Sequence, residues 1–141
     1  MRTPGPAAYK QSMRLFILIA CLLLASPAHA QPVHGAPIRA LAVLPDWSVV
    51  SAGLDATIIV HRLSDGAATI LQPAHDGAVN AIVALPDGGF ASAGADGGVA
   101  IWSRTDTLPV RWLEGHTGPI AALAVNGEAI ASASWDGTAW V

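Results

Sequence analysis

Three residue types that together can run acyl-transfer chemistry recur along this chain at fixed intervals. His34, Ser51 and Asp55 are followed by His75, Ser92 and Asp96, and then by His116, Ser132 and Asp136. A Ser–His–Asp set suggests a hydrolytic triad, in which the imidazole takes the serine proton and the carboxylate holds the imidazole tautomer. Such a set occurs once in an enzyme and needs an oxyanion hole beside it. Here it occurs three times, the histidines 41 residues apart and the aspartates 41 and then 40 apart. Repetition favours a structural role, with buried polar groups satisfying one another. Each such bond contributes about 1 kcal/mol net, and an orphaned partner costs about 1–3 kcal/mol. Zinc is disfavoured on similar grounds, since the histidines come from separate units and lack close His or Cys companions. The sequence is therefore read as non-enzymatic, with no catalytic residue, no metal ligand and no cofactor in this chain.

The elements that must position these groups are short strands. The unit from His75 contains apolar runs at Val79–Ala84, Phe90–Gly94, Val99–Ser103 and Val110–Leu113, separated by turns at 85–89 and 95–98 rich in Pro, Asp and Gly. Runs of four to six residues bounded by such breakers read as β-strands, and no segment after residue 30 keeps helical spacing over ten residues. Four strands per unit of about 41 residues is the pattern of a propeller blade. The units run 34–74, 75–115 and 116–141, the last one partial. The missing residue of the third unit falls in a turn, where Asn126-Gly127-Glu128 shortens the Leu-Pro-Asp-Gly-Gly of the second. The expected fold is all-β: an incomplete propeller of about two and a half four-stranded antiparallel blades over residues 31–141.

The first thirty residues read as a signal peptide. Arg2, Lys10 and Arg14 precede the eleven-residue apolar run Leu15–Ala25, and Ala28-His29-Ala30 supplies the cleavage motif. The run is far shorter than the roughly 20 residues that span a bilayer. Cleavage after Ala30 makes the protein periplasmic or secreted, with no stable membrane anchor. The single cysteine, Cys21, sits in a lipobox-like Leu18–Cys21, but Leu22, Leu23 and Leu24 continue the apolar run where a lipoprotein turns polar. Without Cys21 the mature chain has no disulfide and no thiol chemistry. It also loses three of its seven basic residues, leaving Arg39, Arg62, Arg104 and Arg111 against ten carboxylates, a net charge of −6. Nucleic-acid binding rests on neutralising phosphates, so this balance argues against it.

The spacing GH-x(n)-S-x-S-x-D-x(5)-W, matched best by His75, Ser92, Asp96 and Trp102, resembles the signature of the WD-repeat family. The resemblance covers nearly all of residues 34–141 and implies a buried His–Ser–Asp–Trp tetrad in each blade. Two departures stand out: His61 occupies the tryptophan place of the first unit, and in the third that place falls one residue past Val141. The family implies a protein-interaction platform whose partners, of unknown identity, meet one end of the blades. The corresponding residues are Pro37, Arg39 and Leu54, then Ala78, Asn80 and Ala95, then Pro119, Ala121 and Trp135. Trp135 reads either as an interface anchor or as packing for a further blade. Arg39 and Asn80 are the polar pair of that face, while Trp47 and Trp112 read as packing residues.

A ring of about four to eight blades is not closed by these units, and Asp136–Val141 stop in mid-strand without a cap. The chain is accordingly expected to be truncated at its C-terminus and not to form a stable monomer alone; assembly of several copies into one ring is the other reading. The runs His75–Ala81 and Leu113–Val125 are also similar to exported bacterial WD-repeat proteins in which a c-type cytochrome domain follows the propeller. That resemblance implies haem c and electron transfer in a domain missing from this chain, which itself has no Cys-x-x-Cys-His.

Overall fold

The computed structural model describes residues 31–71 and 75–141. The basic n-region, the apolar run containing Cys21 and the cleavage motif lie outside the described residues. Among the described residues there are eleven strands and no helix, and hence no helix long and apolar enough to cross a membrane.

The strands form three antiparallel sheets in sequence order. The first holds β1 (Ile38–Val43), β2 (Val49–Gly53), β3 (Ile58–Arg62) and β4 (Ala67–Leu71). The second holds β5 (Val79–Ala84), β6 (Phe90–Gly94), β7 (Val99–Trp102) and β8 (Arg111–Leu113). The third holds β9 (Ile120–Asn126), β10 (Ala129–Ser134) and β11 (Ala139–Trp140). Every strand pairs with its sequence neighbour, so each sheet is an up-and-down meander, as expected of a propeller blade. In the second blade only the outer two strands end one residue differently from the sequence reading. The Val110 amide still donates to the Ile101 carbonyl at 2.8 Å, but paired strand begins at Arg111.

Stacking of the blades explains why these strands look apolar on both sides. The inner strand β1 lies against β5, and β5 against β9. Between the first two blades, Val50, Ala52, Ile58 and Leu71 meet Ile82, Phe90 and Trp102. The Phe90 and Trp102 rings stack at 5.6 Å with only 9° between their planes, and both are under 3% exposed (2% and 1%). Between the second and third blades, Ala91, Ala93 and Val99 bury Ile120 with Leu123 and Val125 packed around them. The middle blade is thus covered on both faces, and β6 is buried along its whole length. The first blade keeps an open face where Leu41 and Val43 stand exposed.

The turns follow the same repeat, and the first blade departs from it twice, with Trp47 (φ 66°) where the second has Gly88 and with Ala56 where it has Gly97. The residue after each lock aspartate has positive φ: Gly97 at 78°, Gly137 at 85°, and in the first blade Ala56 at 62°. An L side chain in the left-handed region costs about 1–2 kcal/mol, so Ala56 holds its turn under strain that Gly97 and Gly137 avoid at the equivalent sites. Substituting these equivalent sites should therefore act in opposite directions. Ala56→Gly should leave stability unchanged or raise it by up to about 1 kcal/mol, because relief of strain is partly offset by glycine's backbone entropy. Gly97→Ala should destabilise by about 1–2 kcal/mol or more, since its Cβ would also sit 2.9 Å from the His116 carbonyl oxygen. Denaturant unfolding of the two variants of the full chain checks both signs.

Candidate functional site

Each blade ties its turn aspartate to the loop that enters the blade. In the second, His75 Nδ1 lies 2.8 Å from one oxygen of Asp96, His75 Nε2 lies 2.8 Å from Ser92 Oγ, and Trp102 Nε1 donates to that same Oγ at 2.9 Å. One proton arrangement satisfies all of them. The indole N–H donates to the serine oxygen, the serine O–H donates to Nε2, and Nδ1–H donates to the carboxylate. A neutral imidazole with its proton on Nδ1 is the form that fits. Asp96 also accepts the backbone N–H of Asp76 at 3.0 Å and of Gly98 at 3.1 Å, so one carboxylate clamps both loops.

The other two blades keep the clamp with changed members. His34 reaches Asp55 at 3.1 Å and Ser51 at 2.9 Å; His116 reaches Asp136 and Ser132, both at 2.9 Å. His61, in the tryptophan place, lies 3.1 Å from Ser51 Oγ, so its Nε2–H tautomer donates where the indole does in the second blade. Two threonines that the sequence reading did not single out also join. The hydroxyls of Thr57 and Thr138 donate to Asp55 at 2.8 Å and Asp136 at 2.7 Å, and each lies within 3.1 Å of the histidine Nδ1. Their signal was present, since both stand two residues after the turn aspartate, but Gly98 breaks the pattern in the best-matching unit. Trp140 is the third blade's own addition: its indole donates to Thr138 Oγ1 at 3.0 Å and tilts over the His116 ring at 5.3 Å.

This geometry suits a structural lock and not a nucleophile. Ser51, Ser92 and Ser132 are at most 8% exposed, with Ser92 fully buried. Each serine oxygen already serves the histidine, and in the first two blades a second side-chain donor as well. No group of three or more metal-binding side chains is brought together among the described residues.

The strands that carry the lock also aim a second set of residues at the sheet end beside it. Arg39, Asn80 and Ala121 are each skipped in the pairing of their inner strands, where the register jumps by one residue. Such a bulge twists the strand and re-aims the side chain it leaves unpaired. Next to each bulge the backbone N–H of Leu54, Ala95 or Trp135 donates to the carbonyl of Pro37, Ala78 or Pro119, at 2.8–3.0 Å. All nine residues read as a partner face are therefore placed at one end of their blades. They are not equally free. Asn80 Nδ2 donates to the Ile120 carbonyl at 2.9 Å, stitching the second blade to the third. Ala78 and Pro119 are half-buried, while Arg39, Ala95 and Ala121 are exposed. Leu54 and Trp135 are the large apolar side chains of this end, 43% and 76% exposed.

Protonation should loosen the lock. Burial holds the His75 imidazole below its usual pKa of 6.5, outweighing the attraction of Asp96. Burial works against ionisation of Asp55, yet the hydrogen bonds from His34, Thr57 and Gly35 overcome it and hold the carboxyl below its usual 3.8. Thr138, ahead of His116 and the Thr117 amide, lowers Asp136 in the same way. In each case the unfolded chain binds protons more readily than the folded one, so acid favours unfolding. The His75 contribution is intact above about pH 6.5 and lost as pH falls through its lowered folded pKa; those of Asp55 and Asp136 are intact above about pH 3.8 and lost below it. Thermal midpoints of the full chain should be flat near neutrality and fall in two stages on acidification. His75→Gln should remove the first stage, measured by the same melts. Separately, Ser92→Ala should destabilise by about 1–3 kcal/mol, because the Trp102 N–H and His75 Nε2 would both lose their buried partner; denaturant titration checks it.

Comparison with known proteins agrees with this architecture. The model of the WD40 family, described as WD domain, G-beta repeat, matches residues 68–103 and 107–141, half of the chain. Each matched stretch opens at the outer strand of one blade and runs through three strands of the next. None of the curated proteins matches the chain significantly. Among solved structures, one described as the structure of U3-55K aligns with a TM-score of 0.66 at 22% identity, over 73% of this chain and 32% of that one. At that identity the likeness shows the fold alone, and this chain spans about a third of that protein's length. A family match over two successive repeats, on a stack of meander blades each locked by a His–Ser–Asp chain, shows that this chain belongs to the WD40 family of G-beta repeat proteins.

Proposed function

We propose that the protein is an exported, non-catalytic scaffold that binds a partner protein at the end of the blades carrying Leu54, Arg39 and Trp135. WD40 repeats are typically protein-interaction scaffolds, and fold alone does not identify the partner. The observation that carries the reading to this end of the molecule is Trp135, exposed to 76% on the turn that leads into the Asp136 lock. A large exposed indole held by a rigid turn is the kind of group that anchors interfaces, where Trp and Arg are enriched. Arg39 sits at the same end of the first blade and adds a charged donor.

Export is proposed from the basic n-region, the apolar run Leu15–Ala25 and the Ala28-His29-Ala30 motif. On the cytochrome-like resemblance, a haem-bearing domain elsewhere in the protein would add electron transfer. The lone Cys21 of this chain supplies no Cys-x-x-Cys-His attachment site.

Two measurements test the reading. Mass spectrometry of the exported protein should find its N-terminus at Gln31; a lipid-modified Cys21 or an uncleaved leader would refute that part. A photo-crosslinking residue at position 135 should give a discrete adduct in the native host, whereas one at Leu63, exposed in the turn at the opposite sheet end, should not. Trp135→Ala should abolish partner binding while changing stability by no more than about 0.5 kcal/mol. Equal labelling from both ends, or binding unchanged by Trp135→Ala, would overturn the assignment of this face.

A further inference from the structure

The second blade departs from its neighbours at one place on its outer edge, and the departures converge. Two residues after the turn aspartate, the first and third blades carry Thr57 and Thr138, but the second has Gly98. In the outer strand, β4 places Ile70 opposite Ile59, whereas β8 places Trp112 opposite Ala100. After the lock histidine come Gly35 and Thr117 in the flanking blades and Asp76 in the second. None of these changes is needed for the lock, which the other blades complete without them.

Two of the changes are sterically coupled. A Cβ at Gly98 would lie 2.5 Å from the six-membered ring of Trp112 and 2.8 Å from its Nε1, so only glycine lets the indole lie across the turn. There its ring centroid comes within 4.9 Å of the His75 imidazole. The indole is held on that side, and it forms one wall of a cleft of about 780 Å³. Asp76, Asp96 and Glu114 line the same cleft, with no arginine or lysine among the described residues that line it. Asp96 is occupied by His75 and two backbone amides. Asp76 and Glu114 are exposed and available to a new donor.

We propose that this cleft binds an extended segment of a partner protein through one basic side chain, laid on the Trp112 indole and paired with Asp76 and Glu114. An indole face attracts a cation through its quadrupole. Carboxylates beside it supply charge-assisted acceptors, which a guanidinium can engage in pairs. The cleft volume lies in the range of ordinary ligand sites. Charge complementarity selects the occupant: residues 31–141 hold four arginines against ten carboxylates, and the described lining of this cleft carries three carboxylates, two histidines and no arginine or lysine. A polyanion such as a nucleic acid is repelled here. The proposal rests on the scaffold reading and adds to it a second contact, on the outer edge of the second blade.

The test uses the full chain, isotopically labelled, and two pentapeptides, Gly-Ser-Arg-Ser-Gly and its citrulline counterpart, which keeps the shape and loses the charge. The Trp112 indole N–H resonance should shift saturably with the arginine peptide. The citrulline peptide should bind at least about tenfold more weakly, as should the arginine peptide with Glu114→Gln, read at the same resonance, or with Trp112→Ala, read at the backbone amides of Asp76 and Glu114. The buried Trp102 indole resonance should stay in place and reports that each variant is folded; Glu114→Gln, at an exposed site, keeps the test decisive if Trp112→Ala does not fold. Equal binding of the citrulline peptide, unchanged binding by folded Glu114→Gln, or no shift at Trp112 would overturn the proposal. So would shifts confined to Leu54 and Trp135, which would leave the scaffold reading standing. Failure of that reading is seen separately, in crosslinking from position 135.

Discussion

The hydrogen bond between each lock histidine and its turn aspartate is the constraint on which the rest of these blades depends. A carboxylate in a tight turn would ordinarily face water. Here it accepts an imidazole N–H and backbone amides from two loops that are some twenty residues apart in sequence. The imidazole passes the constraint inward to a serine buried on the second strand, and through it to Trp102 or His61 on the third. The chain of bonds therefore fixes the entering loop, the second strand and the third strand against one another. Apolar packing, joined by the Asn80–Ile120 bond, holds blade against blade. The polar chain sets the register of the strands within each blade, because each group left without its partner inside the sheet would carry a desolvation cost.

That rigidity places the end residues. The bulges at Arg39, Asn80 and Ala121 occur one turn from the lock, where the inner strand leaves the ladder beside the residue before the turn aspartate. A bulge is tolerable there because the loop behind it is already tied down by the histidine and the carboxylate. The side chains at these positions can vary widely, from arginine to alanine, without touching the bonds that hold the blade. Asn80 shows the limit of that freedom, since its amide has been drawn into holding the third blade through the Ile120 carbonyl.

Most of the architecture was legible in the sequence because the repeat and the breakers agree. The 41-residue interval fixed which histidine belongs with which aspartate, and the Pro-Asp-Gly turns bounded β5 and β6 to the residue. The outer strands were less legible. Val110 makes a ladder-like bond without full pairing, and Ser103 turns its hydroxyl toward the local loop as an acceptor for the amides of Thr105 and Asp106. The places where the lock changes members were only partly legible. His61 was visible as a departure, but its replacement of one N–H donor by another is a matter of geometry. Thr57 and Thr138 were hidden because the unit that fits the family pattern best has glycine there. Trp112 read as packing, and its tilt over His75 depends on the absence of a Cβ at Gly98, which spacing alone does not reveal.

Repetition within one chain also separates what holds the fold from what is free to do something else. The polar positions that keep their identity in all three units, the histidine, serine and aspartate, are positions whose side chains are bonded inside the blade. Changes among the residues that join the lock fall in two groups. Some changes preserve a bond with a different donor, as His61 does for the indole, and these leave the fold its register. Others remove a fold-holding contact, as Gly98 does by giving up the threonine hydroxyl present in both flanking blades. The first blade accepts a strained Ala56 where its neighbours have glycine, a cost carried with no visible return in the lock. The second blade gives up a hydroxyl and gains a fixed indole beside the exposed carboxylates of Asp76 and Glu114. A scaffold built of equivalent units can lose one contact in one unit because its neighbours hold the register, and that latitude is what lets a single blade acquire a surface of its own.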